Sequence, residues 1–167
     1  MADKKTNAKQ STLYNMAIKF RNFAGRPTKF DKVGGKRSFA LILSPELADA
    51  LVADGWNVNI PIPKEEGYPA IPILNVKVNL TSYTPPEIWI VREDTKTRLN
   101  EDSIGSLDYA EIENVDITFS PHEFQRKDGS FAANAYLSKL YVKIKRDELE
   151  EKYANLIDTS EEAIPFN

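Results

Sequence analysis

Residues 74–80 alternate with a period of two. Leu74, Val76, Val78 and Leu80 are apolar, and Asn75, Lys77 and Asn79 between them are polar. Successive side chains of a strand point to opposite faces, so this run reads as a strand with one buried and one wet face. The same period recurs in Val115, Ile117 and Phe119, separated by Asp116, Thr118 and Ser120. It recurs again near the end, where Leu140, Val142 and Ile144 face one way and Lys139, Tyr141, Lys143 and Lys145 the other. Further strands are expected over 17–23, 38–43, 56–60 and 87–92, and the last strand or strand pair over 131–145. In the first of these, Ile18 and Phe20 would share one face and Lys19, Arg21 and Phe23 the other. Helical signals are few. Ser44-Pro45 is a hydroxyl cap followed by proline at the first helical position, and Gly55 suits the left-handed residue that ends a helix. Residues 94–108 read as a connection with one helical turn, and Arg126–Ser130 as a hairpin turn. A second helix is expected over 147–157 from the spacing of Leu149, Tyr153, Leu156 and Ile157. Roughly six to eight short strands with so few helices exclude a doubly wound α/β fold. They predict a mainly β chain: a small closed or partly closed barrel with one inserted helix and a C-terminal helix.

A chain of 167 residues that is 41% hydrophobic can bury one domain's core. The expected layout is a flexible arm over 1–13, the barrel domain over 14–157 and an acidic tail over 158–167. No apolar run approaches the roughly 18 residues that cross a bilayer. Residues 1–12 carry no apolar leader core, so an intracellular, cytoplasmic protein is expected. With no cysteine, one histidine and two methionines, thiolate chemistry is excluded, and no metal or cofactor is expected.

Charge is unevenly distributed. Residues 1–40 hold ten Lys and Arg against two acids, while residues 146–167 hold two against seven. A basic front in an acidic chain points to a polyanionic partner. The wet strand faces carry Lys19, Arg21 and Phe23, then Lys139, Tyr141 and Lys143, with Lys77 adding a third basic position. Lysine and arginine neutralise phosphates, and aromatic rings stack on unpaired bases. The segment between the first two strands adds Arg26, Lys29, Phe30, Lys32, Lys36 and Arg37 among three glycines, the make-up of a loop that closes over a single strand. Catalytic alternatives are poorly supported. Gly34-Gly35-Lys36-Arg37 lacks the spacing and hydroxyl of a phosphate loop. The acids Glu93-Asp94, Glu101-Asp102 and Asp108, Glu111, Glu113 could serve a metal-dependent nuclease but have no defining spacing. His122 has no evident catalytic partner. The expected function is therefore single-strand binding without an enzymatic step. A small nuclease, or a β-barrel that contacts only proteins, is the alternative.

Several segments together resemble the phage-encoded single-stranded DNA-binding proteins of the OB-fold kind. They are Arg21-Asn22-Phe23-Ala24-Gly25 with Phe30-Asp31 after it, Arg37–Leu43 followed by Glu46–Leu51 and Asp54-Gly55-Trp56-Asn57-Val58, Leu107–Asp116, and Ala133–Leu137 with Leu140–Ile144. The resemblance covers about residues 17–155. It implies an OB-fold that coats single-stranded DNA during phage replication, recombination and repair, in the cytoplasm of a host bacterium. The end of the chain, Glu161-Glu162-Ala163-Ile164-Pro165-Phe166, is similar to the acidic tip with which bacterial single-strand binding proteins dock partner enzymes. That likeness implies partner contacts through Glu161, Glu162, Ile164, Pro165 and Phe166, with Asn167 as a departure, because the bacterial pattern ends on Phe. Monomer and homodimer both remain open.

Overall fold

The computed structural model describes residues 6–29, 32–61, 63, 65–93 and 95–145. The strands are β1 (Ser11–Asn22), β2 (Arg37–Ile42), β3 (Val58–Asn59), β4 (Ile73–Val78), β5 (Glu87–Arg92), β6 (Thr95–Leu99), β7 (Ile112–Gln125) and β8 (Phe131–Ile144). One helix, α1 (Pro45–Asp54), follows β2, and a 3-10 turn (Ile104–Asp108) precedes β7. β1 pairs antiparallel with β2 and with β7, β2 with β4, and β7 with β8. A parallel contact between β4 and β8, Val76 opposite Ala135 and Lys77 opposite Tyr136, closes the ring. The resulting five-strand barrel runs β1-β2-β4-β8-β7 and back to β1. This is the mainly β, OB-type barrel expected. The β5–β6 hairpin lies outside the ring, with β5 parallel to the far half of β8.

The periodic segments build the interior. Leu74, Val76 and Val78 of β4, Val115, Ile117 and Phe119 of β7, and Leu140 and Val142 of β8 are all buried, with Phe39 and Leu41 of β2 between them. Each such side chain contributes about 1.5–3 kcal/mol on burial. α1 is capped as the sequence dictates. Ser44 Oγ accepts the Leu47 N–H at 3.2 Å, and Gly55 ends the helix at φ +99°. Ala48 and Leu51 are its buried face.

The first strand departs from simple alternation. Its N-terminal limit lies at Ser11, and residues 6–10 are also placed. The Asn7 N–H donates to the Asp54 carbonyl at 2.9 Å, and Ala8 is buried. The part of the expected flexible arm that is described is therefore held against the barrel. Two bulges interrupt β1. Tyr14 and Asn15 oppose the single residue Asp116, and Phe20 and Arg21 oppose the single residue Phe39. Asn15 and Phe20 sit at φ +55° and +54°, which side-chain-bearing residues rarely adopt. A bulge slips the strand by one residue and so exchanges its faces. Phe20 is thrown outward, 66% exposed, while Phe23 is fully buried and stacks on Phe39 at 5.1 Å. Other differences are extensions. β7 begins and ends beyond the expected run, and 95–99 forms a strand where a connection was expected. The expected helix over 147–157 and the tail 158–167 lie outside the described residues, as do Phe30 and Asp31.

Candidate nucleic-acid interface

The outer face of β1, β2 and β4 follows from the register. Lys19, Ala40 and Asn75 form one row across the three strands, and Asn22, Ser38 and Lys77 the next. The central side chains of this face, the floor, are small, Ser38 half-buried and Ala40 fully buried, and they lie between cationic edges. The second row continues onto β8, where Tyr136 lies beside Lys77, whose Nζ is 5.8 Å from the ring centroid. His122 of β7 stands 5.2 Å from the other side of that ring. On the β1 edge, Lys19 Nζ lies 4.8 Å over the exposed Phe20 ring. Backbone strain of the kind Phe20 carries costs about 1–3 kcal/mol and tends to persist where it serves a site. Here it presents an aromatic face to solvent beside a lysine.

The basic segment between β1 and β2 rises from the end of this floor, and its root is fixed. Asp108 Oδ1 accepts the Phe23 N–H at 2.7 Å and its Oδ2 accepts the Ala24 N–H at 3.2 Å. Arg26 Nε lies 3.5 Å from the same carboxylate, whose side chain is 1% exposed. Asn22 and Arg26 exchange two further bonds, and the Gly35 N–H donates to the Gly25 carbonyl at 2.8 Å. A Cβ on Gly34 would stand 3.0 Å from the Gly25 oxygen, so the pinch needs glycine on sterics as well as on its φ of +84°. Above this root Lys29, Lys32 and Lys36 are exposed. At the β7–β8 hairpin, the Ser130 N–H and Oγ both donate to Asp128 Oδ1, at 2.9 and 2.6 Å. Those hydrogen bonds hold the Asp128 carboxyl below the usual range.

The sequence-derived positions divide into three groups. Lys19 and Lys77 fall on the floor, and Lys29, Lys32 and Lys36 on the loop above it. Lys139, Tyr141 and Lys143 lie on the outer face of β8, as their alternation implied. The remainder are corrections. Phe23 is a core residue and has no free face for a base, because the bulge at Phe20 turned it inward. Arg21 is committed to the backbone, its Nη1 donating to the Leu107 and Ala110 carbonyls at 2.8 and 2.7 Å. Arg37 donates from Nε to the Phe23 carbonyl at 2.9 Å and keeps only 17% of its side chain exposed. Arg26 is half exposed but ion-paired to Asp108. Asp108 itself, considered above as a metal ligand, spends both oxygens on backbone N–H groups. Two aromatic residues of this face were missed: Phe20 and Tyr136. Tyr136 could have been read from the alternation of Ala135 with Leu137. Phe20 could not, because no residue pattern announces the bulge.

A five-stranded barrel closed by a parallel pair, with a cationic and aromatic outer face and a basic loop between its first two strands, defines the class: an OB-fold domain built for single-stranded nucleic acid. A model of the family described as "Putative phage ssDNA-binding domain" matches residues 1–166, and the chain belongs to that family. Among solved structures it is similar to the single-stranded DNA-binding protein from bacteriophage Enc34 in complex with ssDNA. The TM-score is 0.53 at 12% identity, covering 87% of this chain and 95% of that one. The C-terminally truncated form of the Enc34 protein gives 0.52 at 12% identity with the same coverage. Its other form gives 0.50 at 11%, covering 95% of this chain and 94% of that one. At these identities the likeness speaks to the fold. No curated protein sequence matches the chain. Like its family, the chain is a single-stranded DNA-binding protein. Among the described residues no helix is long and apolar enough to cross a membrane.

Proposed function

We propose that the chain coats unpaired DNA during phage replication, recombination and repair, in the host cytoplasm and without chemical change to the DNA. The strand lies on the β1–β2–β4 face under the basic loop. Lys19, Lys29, Lys32, Lys36 and Lys77 neutralise phosphates, and Phe20 and Tyr136 offer stacking surfaces. The observation that carries this reading is the register itself, which sets small residues between two lysine-flanked rings at the foot of the basic loop. The acidic tail, residues 158–167, acts as a separate segment and engages replication or recombination proteins through Glu161, Glu162, Ile164, Pro165 and Phe166. A nuclease reading draws no support from Asp108, whose carboxylate is already satisfied.

The test is a titration of oligo(dT) and of the matching duplex across salt. Five phosphate contacts on a single strand predict a log–log slope near about −3.5, or about a hundredfold loss of affinity between roughly 50 and 200 mM salt. Equal affinity at the two concentrations, or preference for duplex, refutes the assignment. Cleavage of the oligonucleotide that a chelator suppresses would favour the nuclease.

A further inference from the structure

A second aromatic and cationic patch lies away from the floor, on the far half of β8 and on the β5–β6 hairpin outside the ring. The strand register sets Trp89 beside Tyr141 and Arg98 beside Trp89, with Lys143 and Lys96 flanking Val91. The Trp89 and Tyr141 rings are 6.3 Å apart and only 10° from parallel. Lys96 Nζ lies 4.6 Å over the indole and 5.9 Å from the tyrosine ring. The opposite faces of these strands, Ile88, Leu140 and Val142, already supply the core. Among the described residues, two buried side-chain polar atoms lack a hydrogen-bond partner, Trp89 Nε1 and Asn114 Oδ1. Both belong to this patch, since Asn114 stands beside Lys143.

We infer that Trp89, Tyr141 and Lys96 form a second stacking station for the same DNA strand that occupies the floor. The inference rests on the floor reading above. Tyr136 ends the floor, and Tyr141 is five residues further along β8; this odd spacing would put them on opposite faces, but the irregularity opposite Thr118 and Phe119, where Ser138 is extra, returns both to the outer face. A single strand leaving the floor past Tyr136 therefore meets the station on a continuous surface. There a base stacks on the part of the two rings left open, displacing Lys96 toward the adjoining phosphates, which Lys143 also receives. The consequence is a footprint with two holding points, of which short oligonucleotides reach only the first.

Two tryptophans make the test direct. Trp56 is 2% exposed and packs edge-on to Phe119 at 4.8 Å, so it is shielded from ligand, whereas Trp89 is partly exposed on the outer face of β5. The full-length protein is titrated with oligo(dT) of increasing length, following tryptophan emission and anisotropy of a labelled strand. Expected is a length threshold, above which binding quenches Trp89 and below which binding occurs without quenching. Trp89→Leu and the exposed Lys96→Glu are expected to weaken long oligonucleotides about tenfold and leave short ones unchanged. Lys96→Glu, on the rim of the hairpin, keeps the test valid if Trp89→Leu fails to fold. Tight binding of long strands with no quenching and with wild-type affinity in both variants overturns the station and leaves the floor standing. No binding of oligo(dT) of any length by the wild-type protein overturns both.

Discussion

Replacing Asp108 by alanine removes the carboxylate that roots the basic loop, and the loss can be worked from its contacts. The Phe23 N–H, partly buried and 2.7 Å from Oδ1, loses a bond to a charged acceptor, worth about 1.5–3 kcal/mol. The Ala24 N–H is exposed and 3.2 Å from Oδ2, so water replaces most of that contact. The Arg26 pair is screened, with 52% of the arginine side chain exposed, and adds at most about 1 kcal/mol. The total is about 3 kcal/mol, a large share of the roughly 5–15 kcal/mol that holds a domain together. For a chain of this size it lowers the melting temperature by about 6–12 °C. Urea denaturation should show the lower midpoint at an unchanged slope, and Asp108→Asn, which keeps one acceptor oxygen, should fall between. Oligo(dT) affinity gives an independent sign. Coulomb attraction alone predicts tighter binding once a negative charge is gone, whereas loss of the loop's anchor predicts weaker binding. A variant with wild-type stability and tighter binding would refute the anchoring argument.

Phe20→Gly relieves the φ of +54° while deleting the ring, so single-strand affinity should fall by about 1–3 kcal/mol with an unchanged or raised melting temperature. A parallel loss of stability in that variant would make Phe20 a packing residue. Gly55→Ala places a Cβ 2.7 Å from Thr6 Cβ at a φ of +99° and should cost at least about 1 kcal/mol by thermal melting. Deleting 158–167 removes Asp158, Glu161 and Glu162 and should tighten oligo(dT) binding at low salt, with the gain fading as salt rises.

What could be read in the residues followed the rule of alternation, and what could not followed its interruptions. Leu74–Leu80 and Leu140–Ile144 declare their faces because every second side chain is apolar, and both faces are as expected. Ser44-Pro45 and Gly55 mark the helix ends because each satisfies a local backbone requirement that needs no tertiary partner. β1 is different. Its two bulges are set by what β2 and β7 offer opposite, so the swap of Phe20 for Phe23 at the surface is a tertiary outcome that the segment does not encode. The arginines were misread for a related reason. Arg21 and Arg37 look like phosphate ligands by type, but each donates to backbone carbonyls that the fold brings within reach. The lysines, which lack a planar fork to match such carbonyls, stayed at the surface where their charge placed them.

β8 is bonded along one edge to β7 and along the other first to β4 and then to β5. The strand that arrives last in the chain thus holds three earlier ones. Until it emerges during synthesis, β4, β5 and β7 each expose a row of unpaired backbone groups, and the barrel has no closed form. Such open edges invite pairing between chains. The ring of this barrel is therefore complete only when residues 131–144 are present, and a chain that ends upstream of them leaves β4, β5 and β7 with open edges.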